Sequence, residues 1–167
     1  MSFQPVRIMF VCLGNICRSP LAEGVFRHLV EKYGLSDCFE IESSGTGAWH
    51  VGEPPDQRMR ATAHKHEIDI DNLSAQQFKA SDLMTCDIIL AMDKDNLHDI
   101  LALDTSGEHS HKVRLFREFD PEPGTYQVPD PYYGGPRGFE DVFAIVHRTA
   151  RVLLHQMIEH YKLEKMN

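Results

Sequence analysis

The chain predicts an α/β fold, a three-layer sandwich with a central four-stranded parallel sheet flanked by helices and a loop shaped to hold an anion after the first strand. Three observations carry this. Short apolar runs alternate with segments of helical period along the sequence. Two of those runs, "VRIMFVC" (Val6 to Cys12) and "CDIILAMD" (Cys86 to Asp93), are uninterrupted, as strands buried on both faces are. The first run also turns through a glycine straight into a helix opened by a proline. With 167 residues, one domain over 1–167 is expected, large enough to bury a core without disulfides or metals.

In order, the β-branched and aromatic run ending at Cys12 reads as a buried strand. From Ser19 the period changes: Leu21, Val25, Leu29 and Val30 share one helical face, and Pro20 sits in the first turn, where its missing N–H costs nothing. "FEIES" (Phe39 to Ser43) reads as a second strand, and "GTGAWHVGEPP" after it as an irregular loop. Asp56 opens a helix to about His66, Cys86 to Asp93 forms the third strand, and "KDNLHDILAL" behind it is helical. "KVRLF" (Lys112 to Phe116) supplies the fourth strand. The Pro- and Gly-rich stretch from Asp120 to Gly138 is long for a segment without regular structure, which in a compact domain points to function. A last helix from about Phe139 carries its apolar face on Val142, Phe143, Val146, Leu153, Leu154, Met157 and Tyr161. Ligands of such sheets sit at the carboxyl ends of the strands, where both Cys12 and Asp93 fall.

Composition narrows the function. At 42% hydrophobic and 25% charged residues the chain reads as globular, and its net charge of -8 gives no global attraction to nucleic acid or an anionic membrane. Any anion must be held by a local site. The four cysteines lack the spacing of a secreted scaffold or a zinc site, and no run is long enough for a membrane span or a signal peptide core. A reducing, cytoplasmic setting is expected, with no cofactor and no metal; the histidines of "HSHK" (His109 to Lys112) read as a solvated surface cluster.

The opening loop carries the chemistry. A strand-to-helix turn aims several backbone N–H groups and the positive end of a helix dipole into one space. The loop has no GxxxxGK[ST] pattern, so it is not a nucleotide loop. Cys12 instead faces the cradle, and Arg18, with five residues between them, supplies a fixed charge whose planar fork suits two equatorial phosphoryl oxygens. The groups that attract an anion also stabilise a thiolate, so Cys12 is expected to be a nucleophile at neutral pH. Ser19 could donate to the Cys12 sulfur, or simply cap the helix.

If Cys12 attacks phosphorus, the departing oxygen needs a proton from an acid on the other side. Asp130 is the candidate: Pro129 and Pro131 restrict the backbone around it, and Tyr132 and Tyr133 offer flat walls for an aromatic ring. The alternative is a turn-forming Asp-Pro.

"VCLGNICRSP" together with "DPYYGG" resembles the low-molecular-weight protein tyrosine phosphatases, and the resemblance runs over essentially the whole chain. It implies a protein tyrosine phosphatase acting on phosphotyrosine proteins and small aryl phosphates, with phosphate or other oxyanions bound in the active site. Cys12 would be the nucleophile that forms a phosphocysteine, Arg18 the clamp, and Asp130 the general acid and then base. Leu13, Gly14, Asn15, Ile16, Cys17 and Ser19 would complete the phosphate-binding loop, Asn15 and Ser43 would hold its shape, and Trp49, Tyr132 and Tyr133 would line the entrance. Cys17 would form a reversible disulfide with Cys12. The family often has a histidine where Asn72 lies, supporting the serine and asparagine network, so the outer part of that network is where this chain departs.

Two other readings stay open. An arsenate reductase shares the fold and loop but relays electrons through two further cysteines, for which Cys38 and Cys86 are available. A non-catalytic phosphotyrosine receptor or redox sensor would use the cradle without turnover. A monomer is expected, with Tyr132 and Tyr133 as a route to weak self-association.

Overall fold

In the computed structural model, which describes residues 4–133 and 135–165 apart from the side chains of Tyr133 and Pro136, four parallel strands form one sheet in the order β2-β1-β3-β4. These are β1 (Val6–Cys12), β2 (Phe39–Gly45), β3 (Ile88–Ala91) and β4 (Val113–Leu115). Parallel neighbours need crossovers, and the helices supply them: α1 (Arg18–Lys32), α2 (Gln57–Lys65), α3 (Ala80–Thr85), α4 (Lys94–Ala102) and α5 (Pro136–Tyr161).

The alternation of side chains along β1 sorts the core into two halves. Ile8, Phe10 and Cys12 face the larger one, shared with α1 and α5, where Phe10 meets Phe26 and Phe116 edge to face at 5.7 and 5.6 Å. Met9 and Val11 face the smaller, shared with Phe78, Leu83 and Ile100 from the α3 and α4 side. Burial of each such large apolar side chain contributes about 2 kcal/mol relative to exposure. The two halves are the contacts of a three-layer structure.

Strand order reverses between β1 and β3, so their carboxyl ends leave a crevice between loops that run to opposite faces. In register, Cys12 lies beside Gly45 and Val11 beside Ala91, which brings the ends of three strands together under that crevice.

Three elements differ from the sequence reading. α3 falls in a stretch that six residues make too short for helical period to show; Asp82 Oδ2 accepts from the Lys79 N–H at 2.9 Å to open it. α5 starts at Pro136 rather than near Phe139, because a proline lacking its N–H is at home in a first turn. The long segment after Asp120 is ordered by side chains rather than by a backbone ladder, apart from a single 3-10 turn at Pro131–Tyr133. No described helix is long and apolar enough to cross a membrane.

Candidate active site

β1 ends at Cys12 and α1 begins at Arg18, so the five residues between them must turn the chain sharply. Asn15 does so in the left-handed region, with φ of 57°, a conformation asparagine tolerates better than most residues. Its side chain is committed on every side: Nδ2 donates to Ser19 Oγ at 2.7 Å and Ser43 Oγ at 3.0 Å, and Oδ1 accepts from the Gln76 N–H at 3.0 Å. The loop is also strapped to the end of β2, where the Thr46 and Gly47 N–H groups donate to the Cys12 and Leu13 carbonyls at 2.9 and 2.8 Å. Gly45 permits that approach, since a Cβ there would lie 2.7 Å from the Leu13 carbonyl oxygen.

The Cys12 sulfur is buried at the centre of this turn. The Asn15 N–H donates to it at 3.3 Å, and Ser19 Oγ lies 2.9 Å away. Ser19 also has the Ser44 carbonyl within 3.2 Å, and its oxygen already accepts from Asn15. A hydroxyl has one proton to give. A negative charge on sulfur would draw that proton to itself and away from the carbonyl.

Arg18 is 3% exposed. Its Nη1 donates to Asp93 Oδ2 at 2.6 Å and to the Val128 carbonyl at 3.1 Å, and its Nη2 lies 3.6 Å from Asp130 Oδ2. Burial alone would ease its proton off, but Cys12, Asp93 and Asp130 more than offset this and hold the guanidinium pKa above its ordinary value. Asp93 is itself fixed, because its Oδ1 accepts from the Asn96 N–H at 2.8 Å as the cap of α4. The sequence placed Asp93 at the right edge of the sheet without a task; its task is to aim Arg18.

Asp130 faces the same cavity from the other loop, its Oδ1 accepting from the Tyr132 N–H at 3.0 Å. The cavity, of about 290 Å³, has Cys12 and Arg18 at its base, Leu13, Gly14, Ile16 and Cys17 along the loop, and Trp49 and Tyr132 toward its mouth with Asp130. Trp49 is 73% exposed and folds over Gly47, where a Cβ would meet the indole at 2.0 Å. The side chain of Tyr133, expected at the entrance, lies outside the described residues.

Several contributors went unread in the sequence. Glu23, buried on α1, accepts from Ser43 Oγ at 2.7 Å, and Gln76 donates to the Ser43 carbonyl at 2.9 Å. They supply the outer part of the Asn15 network, whereas Asn72 is exposed and, among the described residues, no hydrogen bond joins it to that network. Burial pushes the Glu23 carboxyl pKa up in spite of its bonds from Ser43 and Arg27. His50 also lines the cavity and pairs with Glu53. Arg58 stacks over the Tyr132 and Phe139 rings at 5.4 and 4.8 Å and donates to the Tyr132 carbonyl at 3.3 Å, bracing the turn that carries Asp130.

All four cysteines are free thiols. Cys17 lines the cavity and is buried, which together with nearby Asp56 pushes its thiol pKa well up. Cys38 immediately precedes β2 and Cys86 lies just before β3, both at the amino edge of the sheet. Cys12 is at the carboxyl edge, roughly 20 Å of strand away. That separation removes the cysteine relay an arsenate reductase would need. Burial raises the Cys86 pKa to about 11.

A sulfur, a guanidinium and a carboxylate converge at the switch point of a parallel sheet, an arrangement able to hold an oxyanion, and comparison with known proteins shows the class: a phosphatase. A sequence model of the low molecular weight phosphotyrosine protein phosphatases matches residues 7–163. The low molecular weight phosphotyrosine protein phosphatase of Schizosaccharomyces pombe is 48% identical over 83% of this chain and 88% of its own. The low molecular weight protein-tyrosine-phosphatase of Streptomyces coelicolor is 43% identical over 89% and 91%. Among solved structures, a protein tyrosine phosphatase from Entamoeba histolytica with Hepes in its active site superposes with a TM-score of 0.88 at 34% identity, covering 95% of this chain and 99% of that one. The chain belongs to the low molecular weight phosphotyrosine protein phosphatase family.

Proposed function

We propose that the chain hydrolyses phosphotyrosine in proteins, and small aryl phosphates, through a phosphocysteine on Cys12. The observation that supports this best is the Cys12 sulfur held between the Asn15 N–H and the Ser19 hydroxyl, with the Arg18 fork fixed beside it. The sulfur attacks phosphorus, the S–P bond forms as the P–O bond to the aryl group breaks, and Asp130 gives its proton to the leaving phenolate. Asp130, now a carboxylate, takes a proton from water as that water attacks phosphorus. The S–P bond breaks, phosphate leaves and the Cys12 thiolate returns. Arg18 and the loop N–H groups bear the equatorial charge in both steps. Hepes in the Entamoeba active site supports an oxyanion cradle, since its sulfonate is a tetrahedral anion like a phosphoryl group. Apolar walls at Leu13, Ile16, Trp49 and Tyr132 favour a ring over a short alkyl chain.

Cys12→Ser should abolish aryl phosphate hydrolysis and still bind inorganic phosphate. Acid quenching during turnover should trap a phosphoryl group on wild-type Cys12; a variant that turned over at the wild-type rate would end the mechanism. Cys17 serves as the resolving thiol: a peroxide oxidises Cys12 to a sulfenic acid, the Cys17 sulfur displaces water, and a dithiol reductant restores both. Peroxide inactivation should therefore reverse with dithiol in the wild type and become largely irreversible in Cys17→Ser.

A further inference from the structure

A second concavity lies along α5, sharing no lining residue with the catalytic cavity. It has a volume of about 520 Å³. Phe143, His147, Arg151 and His155 recur every four residues along this face, so each step is about 6 Å along the helix. His66, at the end of α2, stacks flat on Phe143 at 3.7 Å, and Phe143 in turn lies 5.8 Å from the His147 ring. The Tyr33 ring, from the end of α1, meets His155 edge to face at 5.6 Å.

The charges are what set this groove apart. In a chain of net charge -8, the groups that act most strongly on His147 are cations or imidazoles: Arg151 on α5, His28 and Lys32 on α1, and His66. Burial first, and then these four neighbours, hold the His147 pKa below its ordinary value. Among the described residues no acid lines the groove, and the acids that reach its lining are engaged there, Glu140 with His66 at 2.9 Å, and Asp120 and Glu122 with Arg148 at 2.7 and 3.5 Å. Among the described residues, Lys32 and Arg151 have no ion pair.

We propose that this groove docks an extended acidic segment of a protein partner, with alternate carboxylates lying along successive turns of α5. The spacing selects the occupant. Side chains on one face of an extended chain repeat every ~6.6 Å, close to the ~6 Å step from His147 to Arg151 to His155. A single small anion would satisfy one step and leave the others repelling. The dock strengthens in mild acid: burial and its cationic neighbours hold the His147 affinity for a proton down, and a carboxylate laid beside that ring raises it, so binding takes up a proton there.

The test uses a fluorescein-labelled peptide of about twelve residues alternating Glu and Ser, followed by anisotropy at low salt. Saturable binding to the wild type is expected, about tenfold tighter at about pH 5.5 than at about pH 7.5. Arg151→Glu should weaken it by about tenfold or more while leaving aryl phosphate hydrolysis unchanged. His147→Gln should remove much of the gain in acid. Affinity equal in the wild type and Arg151→Glu, or indifferent to pH, would overturn the proposal. So would inorganic tripolyphosphate displacing the peptide as well as an unlabelled peptide does, since that outcome describes a small-anion site.

Discussion

The two sides of the catalytic cavity are held by different means. The cradle from Cys12 to Arg18 is contiguous, and apart from Asp93 and the Val128 carbonyl on Arg18 its braces are backbone groups and uncharged side chains: Ser19, Ser43, the Gln76 N–H and the end of β2. The loop that carries Asp130 is held by arginines from separate parts of the chain. At its root, Arg117 reaches Asp120, the Glu122 carbonyl and the Gln127 carbonyl at 2.9, 2.7 and 2.7 Å, and Arg148 closes on Asp120 from α5. At its far end Arg58 braces Tyr132. The difference fits the two tasks proposed for them. An oxyanion cradle works only if its dipoles are fixed before the charge develops, whereas an acid needs reach and the right protonation state.

The comparison predicts unequal sensitivity. Arg18→Ala should lose about 10³- to 10⁵-fold in kcat on every aryl phosphate, because the equatorial charge is present whatever the leaving group. Arg18→Lys should recover little of this, since an ammonium cannot span Asp93 and a phosphoryl group in one plane. Asp130→Ala should lose about 10²- to 10⁴-fold with poor leaving groups and much less with good ones. Steady-state kinetics over a series of substituted phenyl phosphates measures both. A uniform Asp130 loss across the series would move that residue from proton transfer to binding.

The cradle was the legible side. Cys12, Arg18 and Ser19 stand close in sequence, and the change from strand to helical period places them without any long-range information. Asp130 could be picked out by its flanking prolines, yet nothing local announced Arg58, Arg117 or Arg148, each of which acts across a turn or a crossover. Glu23 and Gln76 were hidden for the same reason: Glu23 occupies an ordinary helical position and Gln76 an irregular stretch, and only the fold brings them to Ser43. The sheet was readable because its apolar strands are continuous. Strand order and the Asp93 contact to Arg18 came only with three-dimensional neighbours.

At the root of the acid loop the expected effect is on stability. Asp120 is buried, and its bonds from Arg148, the Glu122 N–H and Arg117 outweigh burial and lower its pKa to about 2. An acid with a depressed folded-state pKa contributes stability that is complete above the unfolded value, near 3.8, and is lost as pH falls toward about 2. Asp120→Ala leaves two guanidinium groups facing each other and should cost about 3 kcal/mol, read as a lower midpoint in urea. The variant should also lose the steepest part of the wild type's acid transition between about pH 4 and about pH 2; an unchanged acid transition would show that Asp120 does not set it.

Arg58 is the smallest and most discriminating case. Arg58→Ala removes the stacking on Tyr132 and Phe139 and the bond to the Tyr132 carbonyl, while the backbone N–H of residue 58 goes on donating to Asp56 and α2 keeps its cap. The change also frees the Asp56 carboxylate from the Arg58 guanidinium, but through the turn that carries Asp130 it should lower kcat by about tenfold with poor leaving groups, less than a displacement of about 1 Å can cost, and hardly at all with good ones. KM and phosphate affinity should stay put, because the cradle is tied to this segment through the Asp56 N–H and the Ile16 carbonyl, a backbone bond of 2.8 Å that the substitution leaves in place. Arg58→Lys should resemble Arg58→Ala, since the brace is a flat guanidinium between two rings and not a point charge. Were the loss the same for every leaving group, Arg58 would be shaping the cavity mouth instead of the acid, and the two sides of the site would be less separable than their bracing implies.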